Sequence, residues 1–269
     1  MTLGELAHAV LKTKETKRKT TYEIYRFQVE KIIVPFFGHL KPKELTVLKW
    51  EQFLSDQRKI GKRRHFGGLK RVLINILHHA MDEGLIEKIP KLKDYDDEPE
   101  PPRYITDEQA IKIIHASKGI MKLFVLIMWK QGGRPREVLR YRYSDIDSGG
   151  SLSIRKDISK TNRSRLIPLN SSVLRAIKFS KKHATSDYIF PNPKDPSKPM
   201  HNYKTAWNTV MKKLGYDFVP YNMRDTFITN ALRRGMSAAF IGKYCDNSAL
   251  MIDKKYSAPT NEMLKKIAG

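Results

Sequence analysis

Four residues in the C-terminal half of the chain carry groups that suit chemistry on a phosphate. They occur in the order Arg134, Lys160, Arg224 and Tyr256, in a chain of formal net charge +23. The oxygens of a phosphodiester become more negative as the leaving oxygen departs, so paired guanidiniums and a separate proton donor stabilise the reaction. Three fixed cations near one phenol therefore suit the attack of a tyrosine on such a phosphate.

Charge is distributed in two basic segments with an acidic one between them. The net charges of residues 1–93, 94–100 and 101–269 are +10, −5 and +18. A positive field of this size favours a polyanion, and two basic segments suggest that both contact it. A lysine-rich surface without a partner would have the same charge, so charge alone does not establish a nucleic acid as the ligand.

Length and composition are typical of a folded protein with two domains. A chain of 269 residues with 40% hydrophobic side chains is long enough for two cores. The single cysteine, Cys245, excludes an internal disulfide and is typical of a reducing compartment. The apolar stretch at residues 121–129 is too short to span a bilayer. We expect a soluble, cytoplasmic protein without membrane contact.

An acidic, proline-containing segment predicts a linker between the two domains. A helix does not propagate through the prolines of residues 94–104, so this segment is expected to be extended. One domain then covers residues 1–93 and the other covers residues 105–269.

Caps and apolar spacing predict that the first domain is a small all-helical bundle. Threonine followed three residues later by glutamate predicts helix starts at Thr2 and Thr20, and Thr46 is suited to cap a third helix. Apolar residues at helical spacing before Gly84 predict a fourth helix. These residues are Leu69, Val72, Leu73, Ile76, Leu77 and Ala80.

Helices are also expected through most of the second domain. Thr106 is placed to cap one helix, and a buried helix is expected to end at Gly132. Pro135 then suits the first position of the next helix, which places Arg134 at a helix N-terminus. Further helices are predicted around Trp207, from 223 to 234, and in shorter pieces towards the C-terminus.

A small sheet is expected in the middle of the second domain. Apolar and polar residues alternate between 151 and 169, which predicts an antiparallel pair of strands with Lys160 at the turn. Residues 188–190 are a candidate for an edge strand. The predicted fold class is therefore mainly α with a small antiparallel β-sheet.

Four segments, taken in order, resemble the sequence boxes of tyrosine recombinases, the phage integrase family. QGGRPREVLRYRYSDID, around Arg134, resembles T-G-x-R-x-x-E-L followed by W-x-D-I, and SKTNRSRLIPL, around Lys160, resembles the lysine hairpin K-x-x-x-x-R-x-V-P-L. YNMRDTFITNALRRG, around Arg224, resembles H-x-L-R-H-T-F-A-T, and YCDNSALMIDKKYS, which contains Tyr256, resembles L-G-H-S-S-x-x-T-T-x-x-Y. One box alone is weak, whereas four in order are specific.

The resemblance implies a role for each matched residue. Arg134 and Arg224 would hold the non-bridging oxygens of the scissile phosphate, in place of the metal ions of other phosphoryl-transfer enzymes. Lys160 would protonate the departing 5′ oxygen, and Tyr256 would attack to leave a 3′-phosphotyrosyl bond. Because the bond energy is kept, rejoining needs no nucleotide cofactor. We predict no cofactor and no metal site.

Two positions depart from the family pattern. Tyr221 stands where the family has its first histidine, and Asn247 stands at the second, nine residues before Tyr256. Both side chains form hydrogen bonds and are candidates to hold a phosphate oxygen, but neither acts as a base as histidine does. Activation of the tyrosine would then depend more on the surrounding cations, and slow cleavage or DNA binding without cleavage are alternatives.

A single residue of any of these types is usually an ordinary surface or core side chain. An arginine after two glycines is most often a surface residue or a helix-cap partner, and most of the 12 tyrosines are expected in cores or interfaces. The lysine and the tyrosine assigned above also have rivals nearby. The rivals are Lys156, Arg163 and Arg165 for Lys160, and Tyr244 for Tyr256.

In the family the helical domain lays helices against DNA, which makes a basic cluster of that domain a candidate DNA contact. Most such contacts go to phosphates, which position the protein on the DNA but do not read its base sequence. The alternative is that these side chains form a solvated face without a partner. The candidates are Arg58, Lys59, Lys62, Arg63, Arg64, Lys70 and Arg71.

Together these features predict a two-domain, C-shaped clamp on double-stranded DNA. We expect site-specific cutting and rejoining for integration or excision of a mobile element, by a homotetramer on two sites that is monomeric in solution, with possible accessory DNA-bending proteins. A Xer-type resolvase and a catalytically weak DNA-binding regulator are the alternatives. The tail after Tyr256 resembles the family's terminal helix, which packs into a neighbouring protomer; folding back on its own domain is the alternative.

Overall fold

The computed structural model divides the chain into two compact units, Met1–Glu98 and Pro99–Gly269. The division falls in the predicted linker, 94–104, of which residues 95–101 lie outside the described part of the chain. The tail at 257–269 lies outside it as well. The structure describes residues 1–17, 19–59, 66–94 and 102–256.

The described part of the first unit is all helical, as predicted. Its helices are α1 Leu3–Thr13, α2 Lys19–Gln28, α3 Val34–Phe37, α4 Val47–Lys59 and α5 Phe66–Asp82. A π-helical turn, Val29–Ile33, joins α2 to α3 without a break. Pro35 explains the turn, because proline donates no N–H and its ring crowds the carbonyl four residues earlier, which the wider π-helix accommodates.

Two of the three predicted caps in this unit are confirmed. Thr2 and Glu5 bond each other's backbone N–H groups at 3.2 and 2.8 Å, and the hydroxyl of Thr46 accepts from the N–H of Lys49 at 3.2 Å. The helix start predicted at Thr20 is wrong, because Thr20 lies within α2, Lys19–Gln28.

The predicted apolar stripe of α5 is the centre of the first core. All six of its residues are buried, and Gly84, with φ +70°, follows the end of the helix. Trp50 of α4 is fully buried and donates its indole N–H to the carbonyl of Lys93 at 3.0 Å. This bond fastens the segment that follows α5 to the helical bundle.

The second unit is mostly helical with two small antiparallel sheets, which confirms the predicted fold class. Its helices are α6 Asp107–Ala116, α7 Ile120–Gln131, α8 Pro135–Val138, α9 Ser171–Lys181, α10 Lys204–Leu214, α11 Pro220–Arg233, α12 Ala238–Cys245 and α13 Ala249–Tyr256. Its strands are β1 Ser151–Ile154, β2 Arg165–Pro168, β3 Pro191–Asn192 and β4 Asp195–Pro199. No helix in the described ranges is both long and apolar enough to cross a membrane.

The first sheet agrees with the predicted hairpin, whereas the predicted edge strand is wrong. Strands β1 and β2 pair antiparallel, with Ile154 opposite Arg165. At 188–190 the backbone bonds elsewhere: the N–H of Ile189 donates to the carbonyl of Tyr141, and Tyr188 makes only an isolated bridge. Ile189 is fully buried, so the segment is held in the core instead of extending the β1–β2 sheet.

Helix α7 is the central element of the second core, because α6, α9 and α11 all pack on it. It is apolar on nearly every side, as a helix surrounded by others must be. It ends at Gly132, whose φ of +60° places it in the left-handed region. A Cβ atom there would lie 2.3 Å from the ring of Phe227 on α11, so only glycine lets the two helices approach this closely.

A separate small core joins the last three helices. Ile228 of α11, Ile241 and Cys245 of α12, and Ile252 and Tyr256 of α13 are buried against one another. The end of α13 is therefore packed against α11.

Gly132→Ala should lower the free energy of unfolding by about 2–4 kcal/mol, since it combines a left-handed alanine with overpacking against Phe227. Gly215→Ala is the matched control, because Gly215 has φ +68° and nothing within 4 Å of an added Cβ. It should cost only about 1–2 kcal/mol. Urea denaturation measures both, and equal losses would contradict the close approach of α7 and α11.

Candidate active site

Arg134 precedes the first turn of α8, where Pro135 fixes the start of the helix as predicted. Its Nη1 donates to Oε1 of Glu137 and to Oδ2 of Asp246, both at 2.8 Å, and its Nη2 donates to the main-chain oxygen of Asp246. The side chain is 14% exposed. The guanidinium is therefore fixed by two carboxylates at the rim of the protein interior.

Arg224 lies in the second turn of α11 and is 1% exposed. Its Nη1 donates to the carbonyl of Gly132 at 2.8 Å and its Nη2 donates to the carbonyl of Cys245 at 2.6 Å. The Nε is buried and has no hydrogen-bond partner among the described residues. Carbonyls orient this guanidinium but do not neutralise it, so it retains a buried positive charge and an unused donor.

Asp246 links the arginines to the hairpin. It ends α12 in the left-handed region, with φ +54°, at the position of the glycine in the box L-G-H. Besides Arg134, its carboxylate accepts from the hydroxyl of Thr161 at 2.7 Å and lies 3.7 Å from Nη1 of Arg165. Aspartate tolerates the left-handed region better than most residues, and here it adds a negative charge where glycine adds none.

Arg165, one of the rivals of Lys160, is part of the same buried network. Its Nη2 donates to Oε2 of Glu137 at 2.9 Å, and its Nε and Nη1 are buried without a hydrogen-bond partner in the described part of the chain. The guanidiniums of Arg134 and Arg165 thus share two carboxylates, and that of Arg224 bonds the main chain of Cys245, the residue before Asp246. The site keeps an excess of positive charge and unused donors, which suits an anion.

Lys160 lies in the connection between β1 and β2, as predicted, and its ammonium binds no group among the described residues. The residue is exposed and makes no hydrogen bond or ion pair with any residue that the structure describes. The adjacent Thr161 is held to Asp246, and Asn162 takes the left-handed conformation at φ +59°. The turn is therefore anchored beside the arginines while the lysine side chain remains available.

Tyr256 is the last residue of α13 and is 8% exposed. Its hydroxyl donates to Oδ1 of Asp225 at 2.6 Å and accepts from Nζ of Lys255 at 3.2 Å. Lys255 also donates to the same Oδ1 at 2.8 Å. Burial first, and then the hydrogen bond to Asp225, raise the pKa of Tyr256 well above its ordinary value. The phenol is therefore protonated at neutral pH.

The two residues at the family's histidine positions are close to this arrangement but bind differently. Tyr221 is exposed, and its ring centre lies 5.9 Å from Cζ of Arg224 and 5.8 Å from Nζ of Lys255. Asn247 directly follows Asp246, and its amide oxygen accepts from the N–H of Ser248 at 3.2 Å.

The structure thus brings most of the predicted catalytic residues into one neighbourhood. Arg134 and Arg224 both bond the turn at 245–246, and Tyr256 bonds the residue next to Arg224. Lys160 is held near the arginines only through the hydrogen bond of its neighbour, Thr161, to Asp246. Asp225, Asp246 and Lys255 belong to the site but were not predicted from the sequence. For the two aspartates one signal was available: in a strongly basic chain, each of two boxes contains an acidic residue. Asp225 lies in the box around Arg224, and Asp246 lies in the box that contains Tyr256.

The candidate DNA contacts of the first unit are only partly described. Lys59 is exposed beside Asp56, with Nζ and Oδ1 3.3 Å apart, and Lys70 pairs with Asp94 at 2.8 Å. Arg71 is exposed on α5. Lys62, Arg63, Arg64 and the side chain of Arg58 lie outside the described residues.

Within the ranges that the structure describes, no group of three or more His, Cys, Asp or Glu side chains is arranged to hold a metal ion.

Comparisons with known proteins identify relatives of the chain over most of its length. The chain is 25% identical over 258 residues to tyrosine recombinase XerA of Pyrococcus horikoshii, covering 94% of this chain and 87% of the relative. It is 27% identical over 261 residues to tyrosine recombinase XerA of Pyrococcus furiosus, covering 94% and 88%.

Solved structures share the fold. The Tn1549 transposon integrase in complex with a circular intermediate DNA superposes with a TM-score of 0.86 at 17% identity, covering 100% of this chain and 99% of that one. A lambda integrase in a tetramer bound to a Holliday junction superposes with a TM-score of 0.75 at 17% identity, covering 94% and 77%.

The family itself is settled by the sequence. Residues 103–263, more than half of the chain, match the phage integrase family. This range contains both site arginines, the hairpin with Lys160, and Tyr256. The chain therefore belongs to the phage integrase family.

Proposed function

We propose that the chain is a site-specific tyrosine recombinase that cuts and rejoins duplex DNA through a 3′-phosphotyrosyl intermediate. The observation that carries this proposal is the buried guanidinium of Arg224, which no carboxylate of the described residues neutralises. It is bonded to the turns that carry Arg134 and Asp246. The next residue in the sequence, Asp225, is the hydrogen-bond partner of Tyr256. Burying a charge without an ion pair is costly, so such a residue is expected where an anion binds.

The scissile phosphate would bind at the arginines, because Nε of Arg224 and both Nε and Nη1 of Arg165 are buried without a hydrogen-bond partner among the described residues. Arg134 and Arg224 would hold its non-bridging oxygens, and Tyr221 and Asn247 are candidates to hold a phosphate oxygen beside them. As negative charge builds up on these oxygens in the transition state, fixed guanidiniums stabilise it without reorganisation. Lys160, exposed on its anchored turn, would reach the departing 5′ oxygen and protonate it.

Asp246 would compete with the phosphate for Arg134. Its carboxylate occupies the guanidinium at 2.8 Å, where the family box has a glycine that offers no charge. Binding of DNA must displace or weaken this ion pair, which lowers the net affinity of the site. This contact, with the buried hydroxyl of Tyr256, supports a second candidate, a DNA-binding regulator that cleaves poorly.

DNA binding would involve both units. We propose residues 1–93 as the core-binding domain, 94–104 as the linker and 105–269 as the catalytic domain of a C-shaped clamp. Basic residues of the first unit, including Lys59, Lys70 and Arg71, would contact phosphates.

The assembled form would be a homotetramer on two sites, built from protomers that are monomeric in solution and act in the cytoplasm, with DNA-bending accessory proteins where the sites require them. The lambda integrase tetramer on a Holliday junction supports this arrangement. Integration or excision of a mobile element and Xer-type resolution differ in the sites joined. Plasmids carrying two selected sites, on one or on two molecules, distinguish these reactions.

Covalent capture tests the proposed function directly. A duplex site is selected from a random library by binding, nicked so that cleavage cannot reverse, and incubated with the protein. The wild-type chain should form a DNA adduct that survives denaturant, and Tyr256→Phe should form none because it lacks the attacking oxygen. Tyr216→Phe, which removes a hydroxyl away from the site, is the control. An adduct that persists in Tyr256→Phe would contradict the assignment, and binding without any adduct would favour the regulator.

Salt dependence tests the basic residues of the first unit. The affinity for the selected duplex should fall steeply between 50 and 200 mM salt, since about 0.9 counterions are released for each neutralised phosphate. Arg71→Gln should weaken binding and reduce the logarithmic salt slope by about 1. Lys198→Gln, whose ammonium pairs with Asp195 at 2.7 Å in β4, is the matched control. If the logarithmic salt slope of Arg71→Gln equals that of the wild-type chain, Arg71 does not contact a phosphate.

Charge removal tests the competition at Arg134. Asp246→Asn keeps a residue that tolerates the left-handed region and removes the negative charge. Duplex affinity should rise about five-fold, corresponding to roughly 1 kcal/mol of removed repulsion. Fluorescence anisotropy measures the change against Asp195→Asn as control. Weaker binding in Asp246→Asn would show that the carboxylate serves to orient Arg134 for DNA.

A further inference from the structure

The hydroxyl of Tyr256 is bonded to a carboxylate that the predicted catalytic set did not include. Asp225, on α11, is the residue after Arg224 and is 4% exposed. Its Oδ1 lies 2.6 Å from the phenolic oxygen, within the range of short O–H···O⁻ hydrogen bonds. The contact joins residues 31 positions apart, so it is made by the packing of α13 on α11 and not by local chain geometry.

The three hydrogen-bond partners of Asp225 are all donors, which suits an acceptor-only carboxylate. Oδ1 accepts from the hydroxyl of Tyr256 and from Nζ of Lys255 at 2.8 Å, and Oδ2 accepts from Nδ2 of Asn222 at 3.3 Å. A protonated carboxyl would place its own hydrogen against one of these donors. The ionised carboxylate is also the form that can take up a proton.

We propose that Asp225 is the group that accepts the proton of Tyr256 when the tyrosine attacks the scissile phosphate. This inference rests on the proposed recombinase function and deepens it. Asp225 would be a catalytic residue, because it touches the attacking oxygen itself.

The step balances in atoms and electrons. The phenolic oxygen of Tyr256 forms a bond to phosphorus while its proton passes to Oδ1 of Asp225. The bond from phosphorus to the 5′ oxygen breaks, and that oxygen takes a proton from the ammonium of Lys160. The products are a 3′-phosphotyrosyl bond and a 5′ hydroxyl, with a neutral Asp225 and a neutral Lys160. Rejoining runs through the same groups in reverse.

The carboxylate oxygen of Asp225 is much less basic than the phenolate oxygen of Tyr256, so Asp225 can accept the proton only in the transition state. A free aspartate has a pKa near ~3.9 and a free tyrosine near ~10, so at rest the proton stays on the phenol. As the phenolic oxygen bonds to phosphorus it loses basicity, and transfer to a carboxylate already in hydrogen-bond contact becomes favourable. General bases act in this way, on a proton that becomes acidic during the reaction.

The other groups around the hydroxyl do not offer an acceptor. Lys255 is an ion-paired ammonium that carries donors only, and the guanidinium of Arg224 does not deprotonate at working pH. Tyr221 and Asn247 replace the two histidines of the family pattern and are not bases. Among the described residues, the carboxylate of Asp225 is the one acceptor bonded to the hydroxyl of Tyr256.

Two substrates separate the two proton transfers. On a normal nicked duplex, Asp225→Asn should keep the carbonyl that accepts from Tyr256 but lower the single-turnover rate of adduct formation by about 10²- to 10⁴-fold. Lys160→Ala should lower it as well. A duplex with sulfur in place of the bridging 5′ oxygen expels a thiolate, which needs no proton. On that duplex Lys160→Ala should recover, whereas Asp225→Asn should stay slow.

Chemical rescue distinguishes a proton acceptor from a packing residue. Asp225→Ala leaves space beside Tyr256, so added formate or acetate should raise its rate of adduct formation, and chloride at equal ionic strength should not. The more basic acetate should be the better rescuer per bound molecule. This variant also replaces Asp225→Asn if the latter does not fold. Asp195→Asn, on β4, is the control that should keep the wild-type rate.

The outcomes are distinguishable. Wild-type rates in folded Asp225→Asn, recovery of that variant on the sulfur-bridged duplex, or no rescue by carboxylates would each overturn the inference and leave the proposed function intact. No Tyr256-dependent adduct from the wild-type chain on either duplex would overturn the proposed function and the inference together.

Discussion

The two hydrogen bonds of Arg224 to main-chain carbonyls hold the site together. They join Gly132, at the end of α7, to Cys245, at the end of α12, through one buried guanidinium. The turn after the first carbonyl leads to Arg134, and the turn after the second carries Asp246. A buried charge tolerates little displacement of its partners, because losing one leaves a donor unsatisfied in a medium of low polarity. The position of Arg134 therefore depends on Arg224.

Charge compensation in the second unit is arranged in two neighbouring groups. Arg134 and Arg165 share the carboxylates of Glu137 and Asp246, and one residue after Arg224 a separate pair forms between Lys255 and Asp225. Each group combines cations that can hold a phosphate or support a nucleophile with anions that offset the repulsion between those cations when no phosphate is bound. Like charges gathered without these carboxylates would repel one another in the empty site.

The sequence predicted elements whose ends carry local signals, and it predicted less well where packing decides. The end of α7 at Gly132 and the start of α8 at Pro135 follow from single residues, and both were predicted. Helix α9 was not predicted, because its buried face consists of little more than Val173 and Ile177 among polar residues. The edge strand at 188–190 was wrong because its backbone bonds two separate loops.

The same distinction holds within the site. Arg134, Arg224 and Tyr256 could be chosen from boxes of fixed spacing, and the structure places them near one another. The contacts of Asp225 and Asp246 join residues 31 and 112 positions apart, and no local pattern announces a bond between such distant residues. The hydroxyl of Tyr256 and the carboxylate of Asp225 belong to one polypeptide, so any movement of α13 that carries the phenol away from α11 must first break this hydrogen bond.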